Sequence, residues 1–191
     1  MILFTASLIS GCASEIWHMQ EIAADKAPVA PAPGKAAVVF LRPSGDGSAQ
    51  QSFVFEVKDN RSLLVGLLAA KTKVAYQVEP GKRLFMLDRM EFMTADLLPN
   101  RTYYVLLAPR TENFLRGGLH FVLEPVRGKE MDSSEFKSSL ADCRWVEKTD
   151  ASENWYRNIA AYHESQRAKY YADWVTKPEP EKPYLLQGDG R

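Results

Sequence analysis

The chain has 191 residues, of which 46% are hydrophobic and 25% are charged, and its 24 basic residues balance 24 acidic ones. This length is sufficient for one domain with a core and a helical annex, and the apolar content excludes a chain that is disordered throughout. A net charge of zero provides no field that would attract nucleic acid or an anionic membrane, so we expect no nucleic-acid partner.

A short apolar run, residues 2–10, opens the chain and ends at Gly11 and Cys12. Its length suits the hydrophobic region of a signal peptide and is too short to cross a bilayer as a helix. The residues Ile9-Ser10-Gly11-Cys12 resemble the lipobox of bacterial lipoproteins, in which a branched apolar residue and two small residues precede a cysteine. This resemblance implies cleavage before Cys12 and acylation of its thiol with diacylglycerol, and two or more acyl chains attach a protein stably to a membrane. We therefore predict a signal peptide over residues 1–11 and lipidation of Cys12.

The residues before this motif indicate where translation starts, and the residue after it indicates where the protein is located. A signal peptide normally carries Lys or Arg before its apolar region, whereas only Met1 stands there, so we expect translation to start upstream. The alternative is a buried first strand over residues 2–9, but no turn and partner strand follow it. Ala13 follows Cys12, which by resemblance to Gram-negative lipoproteins implies export to the outer membrane. We expect a lipid-anchored protein of the bacterial cell envelope, on the periplasmic face of that membrane.

Residues 12–34 form the predicted tether between the anchor and the domain. Pro28, Pro31 and Pro33 alternate with small residues, a composition that favours extended, partly polyproline II chain. At about 3.1 Å per residue such a segment would hold the domain several tens of ångströms from the membrane. Trp17 either lies among the lipid headgroups, as interfacial Trp often does, or docks on the domain.

Residues 35–126 contain short apolar strands separated by turns about every ten residues, a pattern typical of an antiparallel β-sandwich. An uninterrupted apolar first strand, residues 36–41, predicts burial on both faces. The second strand places Phe53, Phe55 and Val57 on one face and a mostly polar set on the other, which predicts a half-buried strand. Further strands are predicted over residues 63–68, 74–78, 84–87, 103–107 and 119–123, with turns at Asp59-Asn60, Pro80-Gly81 and Pro99-Asn100.

The order of these features is similar to the β-sandwich domain of small bacterial lipoproteins of unknown function, in the style of PEGA domains. The residues that carry the resemblance are Val38–Arg42 with Pro43, Val78-Glu79-Pro80-Gly81-Lys82, and the run from Leu98 to Val105. Such families usually have Gly where Asn100 stands and an Asp-Gly turn where Asp59-Asn60 stands. The resemblance covers about residues 35–125 and implies an Ig-like or PEGA-like sandwich in the envelope. It implies no activity and carries over no functional residue.

Two capping patterns predict helices in an annex over residues 127–177. Asp132 to Glu135 opens a short helix that ends near Asp142, and a short strand over residues 143–148 follows. Asp150 to Glu153 opens a long amphipathic C-terminal helix that ends near Trp174. The Pro-rich residues 178–191 after this annex are predicted to be a flexible tail. The predicted fold class is therefore mainly β with C-terminal α, an antiparallel Ig-like or PEGA-like β-sandwich plus the long helix.

An aromatic face runs along the long helix and has two interpretations. Its centre is predicted at Trp155, Ile159, Tyr162, Gln166 and Tyr170, with Tyr156, His163 and Trp174 at its margin and Arg157 and Arg167 on a solvated opposite face. We favour packing of this face on the sandwich, because helices normally bury such a stripe. The alternative is an exposed platform for a partner protein or sugar rings, with Trp155, Tyr156, Tyr162, Tyr170 and Trp174 as the binding residues.

No catalytic or metal-binding motif is recognisable in the sequence. His18, His120 and His163 are far apart and show no metal-ligand spacing, and Cys143 is expected to be a small buried hydrophobic residue. We expect no enzymatic activity, no metal and no cofactor. The predicted function is a non-catalytic binding or scaffolding module for another envelope component. The alternative is a lipoprotein that binds a small ligand or glycan through its C-terminal aromatic residues.

Overall fold

The computed structural model describes residues 16–88, 90–111 and 118–191. The predicted signal peptide and lipidation site, residues 1–12, lie outside the described residues. Within the described part, the strands and helices are β1 (Met19–Glu21), β2 (Ala36–Arg42), β3 (Ser52–Lys58), β4 (Arg61–Leu68), β5 (Thr72–Val78), β6 (Gly81–Leu87), β7 (Glu91–Leu97), β8 (Thr102–Thr111), β9 (Leu119–Pro125), α1 (Ser134–Asp142), β10 (Arg144–Lys148), α2 (Asp150–Val175) and β11 (Tyr184–Leu185).

The strands form two sheets, which confirms the predicted β-sandwich with a long C-terminal helix. A six-stranded sheet has the order β1-β10-β5-β2-β8-β9, and a five-stranded sheet has the order β11-β7-β6-β3-β4. Most pairs are antiparallel, but β2 with β8, β5 with β10 and β7 with β11 are parallel. Both sheets are therefore mixed, because strands distant in sequence return to lie beside β2, β5 and β7 and long connections allow parallel pairing.

The core lies between the two sheets and is organised around β2. Every residue of β2 is buried, which confirms the predicted burial on both faces. The rings of Phe40 and Phe85 meet edge to face at 5.2 Å and join the two sheets across the core. β7 was not predicted from the sequence, although it supplies the buried residues Phe92, Met93, Ala95 and Leu97.

The prediction of a half-buried β3 is wrong, because both faces of this strand are covered. Phe55 lies under α2, while Val54 and Glu56 are buried on the side that faces the other sheet. The Glu56 carboxylate accepts a hydrogen bond from the Tyr76 hydroxyl at 2.7 Å and lies 3.7 Å from Nε of Arg83. These partners stabilise the buried charge, which would otherwise be costly inside a sandwich. Because Glu56 is polar but points into the core, the sequence pattern did not indicate that this second face of β3 is buried.

Helix α2 is a third layer that crosses the outer face of the five-stranded sheet. Phe55 contacts the rings of Tyr156 and His163 at 5.2 and 4.3 Å, and Phe92 contacts those of Tyr171 and Trp174 at 5.4 and 5.7 Å. The most buried α2 residues are Ser152, His163, Arg167 and Trp174. The centre of the buried face is thus rotated around the helix axis by roughly 70° from the predicted centre, toward the predicted margin.

Arg167 shows why the predicted orientation of α2 was wrong. Nε of Arg167 lies 2.6 Å from the Glu164 carboxylate, and the guanidinium is buried, whereas a solvated position was predicted. Asp59 and Asn60 both have positive φ and form the tight turn between β3 and β4, as predicted. This turn presents the Asn60 carbonyl to α2, where it accepts a hydrogen bond from Arg167 at 2.9 Å. Arg167 is therefore buried between α2 and the sheet, because its guanidinium donates a hydrogen bond to the Asn60 carbonyl there.

The helix starts also differ by one residue from the predicted caps. The α1 N-cap is Ser133, whose Oγ accepts a hydrogen bond from the Phe136 N–H at 3.1 Å. The α2 N-cap is Thr149, which exchanges hydrogen bonds with Ser152. A hydroxyl at the N-cap replaces the predicted aspartate in both helices, and both types of oxygen can accept from the first turn.

The described part of the predicted tether is bound to the domain. β1 pairs antiparallel with β10, and Met19 is buried in the core. Further along, the Gln77 amide donates to the carbonyls of Pro28 and Ala30 and accepts from the Ala32 N–H. The prediction of a free tether overlooked these side chains, which satisfy the backbone groups that a Pro-rich segment leaves unpaired.

The predicted flexible tail is likewise part of the fold. β11 pairs with the β7 edge, and Leu185 is buried. Arg191 and Thr102 exchange two backbone hydrogen bonds of 2.7 and 3.0 Å. The segment therefore spans from the five-stranded sheet to β8 in the other sheet, because its apolar residue and unpaired backbone find partners there despite the neighbouring prolines.

Candidate functional site

The five aromatic residues predicted to bind a partner are differently exposed. Trp174 is buried, and Trp155, Tyr156 and Tyr170 are partly buried against the core. Only Tyr162 among the five is largely exposed, at 59%. Most of the aromatic surface on α2 thus contacts the five-stranded sheet. A role of these residues in binding a partner stays a prediction.

Cys143 occupies a small satellite core and is held as a thiol. It packs with Leu41, Val126, Met131 and Phe136, as predicted for a small hydrophobic residue. Burial raises the pKa of Cys143 to about 11, and the nearby Lys73 opposes this only in part. Because the thiolate is the nucleophilic form, the environment does not activate this cysteine.

In the part of the chain that the structure describes, the other titratable groups do not assemble a recognisable reactive centre. Among the described residues, no group of three His, Cys, Asp or Glu side chains could hold a metal ion. His163 is buried under α2, where its Nε2 lies 3.0 Å from the Asp88 carbonyl and its ring contacts Phe55. His163 is therefore built into the packing between α2 and the five-stranded sheet.

A cleft of about 310 Å³ lies between β6, β7 and the C-terminal segment. Most of its charged residues already have partners within the fold. The Lys182 amino group donates to Glu179 at 2.9 Å and to the Val175 carbonyl at 3.1 Å, and Asp96 accepts from Gln187 at 3.1 Å. A ligand in this cleft would have to compete with these contacts.

A different surface is formed where the N-terminal segment meets α2, and we call it the N-terminal aromatic patch. It consists of Trp17, His18, Phe53 and Trp155, around a shallow groove of about 140 Å³ that Gln51 and Leu67 complete. The Trp155 ring lies 6.1 Å from that of His18 and 4.7 Å from that of Phe53. Trp17 is 52% exposed and is the most exposed tryptophan side chain among the described residues.

The backbone beside this patch is held by the start of α2. His18 adopts a positive φ of 59°, so the chain turns sharply before β1. The His18 carbonyl accepts hydrogen bonds from Thr149 Oγ1, at 2.9 Å, and from the Ser152 hydroxyl. The next residue, Met19, inserts its side chain beside Gly66 of β4. The exposed indole of Trp17 therefore projects from a chain that is fixed on its C-terminal side.

Sequence reasoning placed Trp17 and Trp155 in separate segments and did not join them. The missing information was the pairing of β1 with β10, which brings residue 17 to the start of α2. A signal was present in Met19, which together with Ile16 and Ile22 supplies apolar side chains that a free tether would leave exposed. If Met19 had been interpreted as a core residue, docking of Trp17 on the domain would have been favoured over a position among lipid headgroups.

Within residues 16–88, 90–111 and 118–191, no helix combines the length and the apolar character needed to cross a membrane. The chain matches no protein-family model, and the search of curated proteins found no relative. The resemblance to PEGA-like lipoproteins therefore stays a prediction from the sequence.

Proposed function

We propose that this protein is a lipid-anchored component of the bacterial cell envelope, attached through Cys12 on the periplasmic face of the outer membrane. Its β-sandwich acts as a non-catalytic binding or scaffolding module for another envelope component. The observation that carries the proposal is the attachment of the N-terminal segment to the fold, with Met19 buried and β1 paired. Together with the lipobox-like residues before Cys12, this attachment favours a lipid anchor that is joined to the folded domain by only a few residues.

The short distance along the chain gives this anchor a mechanical consequence. Met19, which is fixed in the core, follows Cys12 by seven positions, and seven residues span at most about 24 Å when fully extended. A lipid on Cys12 would therefore hold the sandwich close to the bilayer. The long tether predicted over residues 12–34 would have held it farther away. A position close to the bilayer suits a protein that presents a fixed surface to another component of the envelope.

The character of the interior supports a binding role over a catalytic one. The thiol of Cys143 is buried in a protonated state, and Glu56 is paired with Tyr76 and Arg83 inside the sandwich. In the cleft beside the C-terminal segment, Lys182 pairs with Glu179, and Asp96 accepts a hydrogen bond from Gln187. Each of these groups has a structural partner that accounts for its position.

The test is the mass and location of the protein expressed in a bacterium with its native upstream region. We expect a diacylglyceryl mass on the mature chain and retention in the membrane fraction, both abolished by Cys12→Ala. Cys143→Ala is the matched control, because it removes the other cysteine, which is buried, and should leave both properties unchanged. Crosslinking in intact cells would then identify the envelope component that contacts the sandwich.

An unmodified wild-type chain in the soluble fraction would overturn the anchor and the location together. A membrane-bound chain whose mass is unchanged by Cys12→Ala would overturn the lipidation and leave another mode of attachment to be found.

A further inference from the structure

We propose that the N-terminal aromatic patch rests on the phospholipid headgroup layer, with the Trp17 indole inserted among the headgroups. The inference rests on the Cys12 anchor of the proposed function and adds the face by which the domain meets the bilayer. Its starting point is an exposed tryptophan close in sequence to the attachment site and fixed beside a second tryptophan on α2.

The length of the chain favours lipid as the occupant of this patch. Trp17 follows Cys12 by five positions, and five residues span at most about 17 Å when fully extended. The headgroup layer of one leaflet is about 5–8 Å thick, half the difference between the whole bilayer and its hydrocarbon core. An anchor on Cys12 therefore confines Trp17 to the neighbourhood of the headgroups, whatever protein the sandwich binds elsewhere.

The chemistry of the exposed side chains is that of an interfacial surface. Trp and Tyr combine an apolar ring with a polar tip and are enriched where membrane meets water. Beyond Trp17, the partly exposed Trp155 and Ile159 and the exposed Tyr162 lie four and three residues apart along α2, so they share one side of the helix. The patch thus continues as a stripe along the first half of α2.

The fixed backbone lowers the cost of inserting the ring. The His18 carbonyl is held by Thr149 and Ser152, and Met19 is buried. Less chain entropy is lost on binding when the neighbouring residues are already ordered. The described residues that line the groove of the patch include no Asp, Glu, Lys or Arg, so zwitterionic phosphatidylcholine is the appropriate probe.

The experiment measures tryptophan emission of the full-length lipidated protein in phosphatidylcholine vesicles with and without brominated acyl chains. Trp145 and Trp174 are buried, and the ring of the partly buried Trp155 is covered by those of His18 and Phe53, so contact quenching by bromine should fall mainly on Trp17. We expect a loss of emission in brominated vesicles that Trp17→Phe largely abolishes. Tyr184→Trp in the Trp17→Phe background is the control, because residue 184 lies on β11, at the opposite edge of the five-stranded sheet from β4, and should show no quenching.

The intact mass of the same sample separates the two proposals. If the mass shows lipid on Cys12 but the wild type and Trp17→Phe lose the same fraction of emission, the headgroup contact is overturned and the anchor stands. That result together with a crosslink from residue 17 to a protein would assign the patch to a protein partner.

If the mass shows no lipid, the anchor fails, and the contact is then tested by coupling Cys12 of the full chain to a maleimide phospholipid in a Cys143→Ala background. Quenching of Trp17 in these vesicles would support the affinity of the patch for lipid, and its absence would overturn it.

Discussion

The two edges of the five-stranded sheet are closed in different ways. At the β7 edge, β11 adds a short parallel strand of main chain, and Leu185 from it is buried. At the β4 edge, the contacts come from side chains of α2, β10 and β1. An open strand edge is a template for unwanted pairing with other chains, so both solutions protect the fold.

The β4 edge shows how side chains can replace a neighbouring strand. The Ser62 N–H donates to the Glu164 carboxylate at 2.8 Å, and its carbonyl accepts from the Tyr156 hydroxyl at 3.0 Å. Lys148 donates to the Leu64 carbonyl at 2.7 Å, and the Leu67 N–H points to the Met19 sulfur at 3.5 Å. Burial raises the pKa of Tyr156 to about 12, with Glu164 adding to the effect, so its hydroxyl keeps the proton that it donates.

The two edges of the sheet are stabilised by different kinds of interaction. At the β7 edge, β11 is held by main-chain pairing, one buried leucine and a hydrogen bond from the Arg127 guanidinium to the Tyr184 carbonyl, none of which changes charge between pH 3 and pH 7. The β4 edge depends on an ionisable carboxylate, a lysine and a methionine supplied from three separate elements. We therefore expect the β7 edge to respond mainly to changes in packing and the β4 edge to respond to pH as well.

The largest expected effect is at the β7 edge. Leu185→Ala removes a side chain that is 1% exposed, and the cavity left by such a change lowers the free energy of unfolding by about 3 kcal/mol. Urea unfolding followed by circular dichroism measures the loss, and limited proteolysis should cut the C-terminal segment sooner than in the wild type.

Leu186→Ala is the matched control for this edge. The neighbouring leucine is 50% exposed, and exposed substitutions usually change stability by less than about 0.5 kcal/mol. Equal losses in the two variants would show that Leu185 is not a packed anchor of β11.

The next effect is at the β4 edge, where Met19 joins β1 to the sandwich. Met19→Ala should lower the free energy of unfolding by about 2 kcal/mol, less than Leu185→Ala because Met19 is slightly more exposed and a thioether adapts to its surroundings. The same urea titration measures it. Gln20→Ala, at the exposed neighbour in β1, should be close to neutral; a loss as large as that of Met19→Ala would contradict the anchoring role.

The strands that sequence patterns predicted well are those with continuous or alternating apolar residues. β2 and β8 are examples, and the left-handed conformation of Asn100 agrees with the predicted turn between Pro99 and Arg101. β7 could have been predicted as well, since Met93, Ala95 and Leu97 alternate with Thr94 and Asp96.

Other features depend on contacts between segments that are distant in sequence, and local patterns do not contain that information. The prolines near β1 and β11 indicated free segments, whereas Gln77 and Thr102 supply the hydrogen bonds that hold them. The aromatic patch has the same origin, because Trp17 and Trp155 meet only through the pairing of β1 with β10.

The smallest expected effect is the pH dependence of the β4 edge. Burial by itself would raise the pKa of Glu164, but hydrogen bonds from Arg167 and Ser62 outweigh it and hold the pKa below its usual value of 4.5. A carboxyl group with a lowered pKa in the folded state stabilises that state above the usual pKa, and this contribution is lost as the pH falls through the folded-state pKa. Glu164→Gln should therefore lower the free energy of unfolding at pH 7 by less than about 1 kcal/mol, since the group is partly exposed and its ion pair is screened.

The same variant should flatten the acid arm of the stability profile below pH 4.5, the region in which Glu164 takes up its proton. Thermal unfolding measured from pH 7 to pH 3 tests this. Glu179→Gln is the matched control, because Glu179 also pairs with a cation at i,i+3 but its side chain is 88% exposed, and its acid arm should follow the wild type. If Glu164→Gln keeps the full acid arm, the carboxylate contributes no titratable stability to the β4 edge, and the two edges of the sheet would differ in their geometry alone.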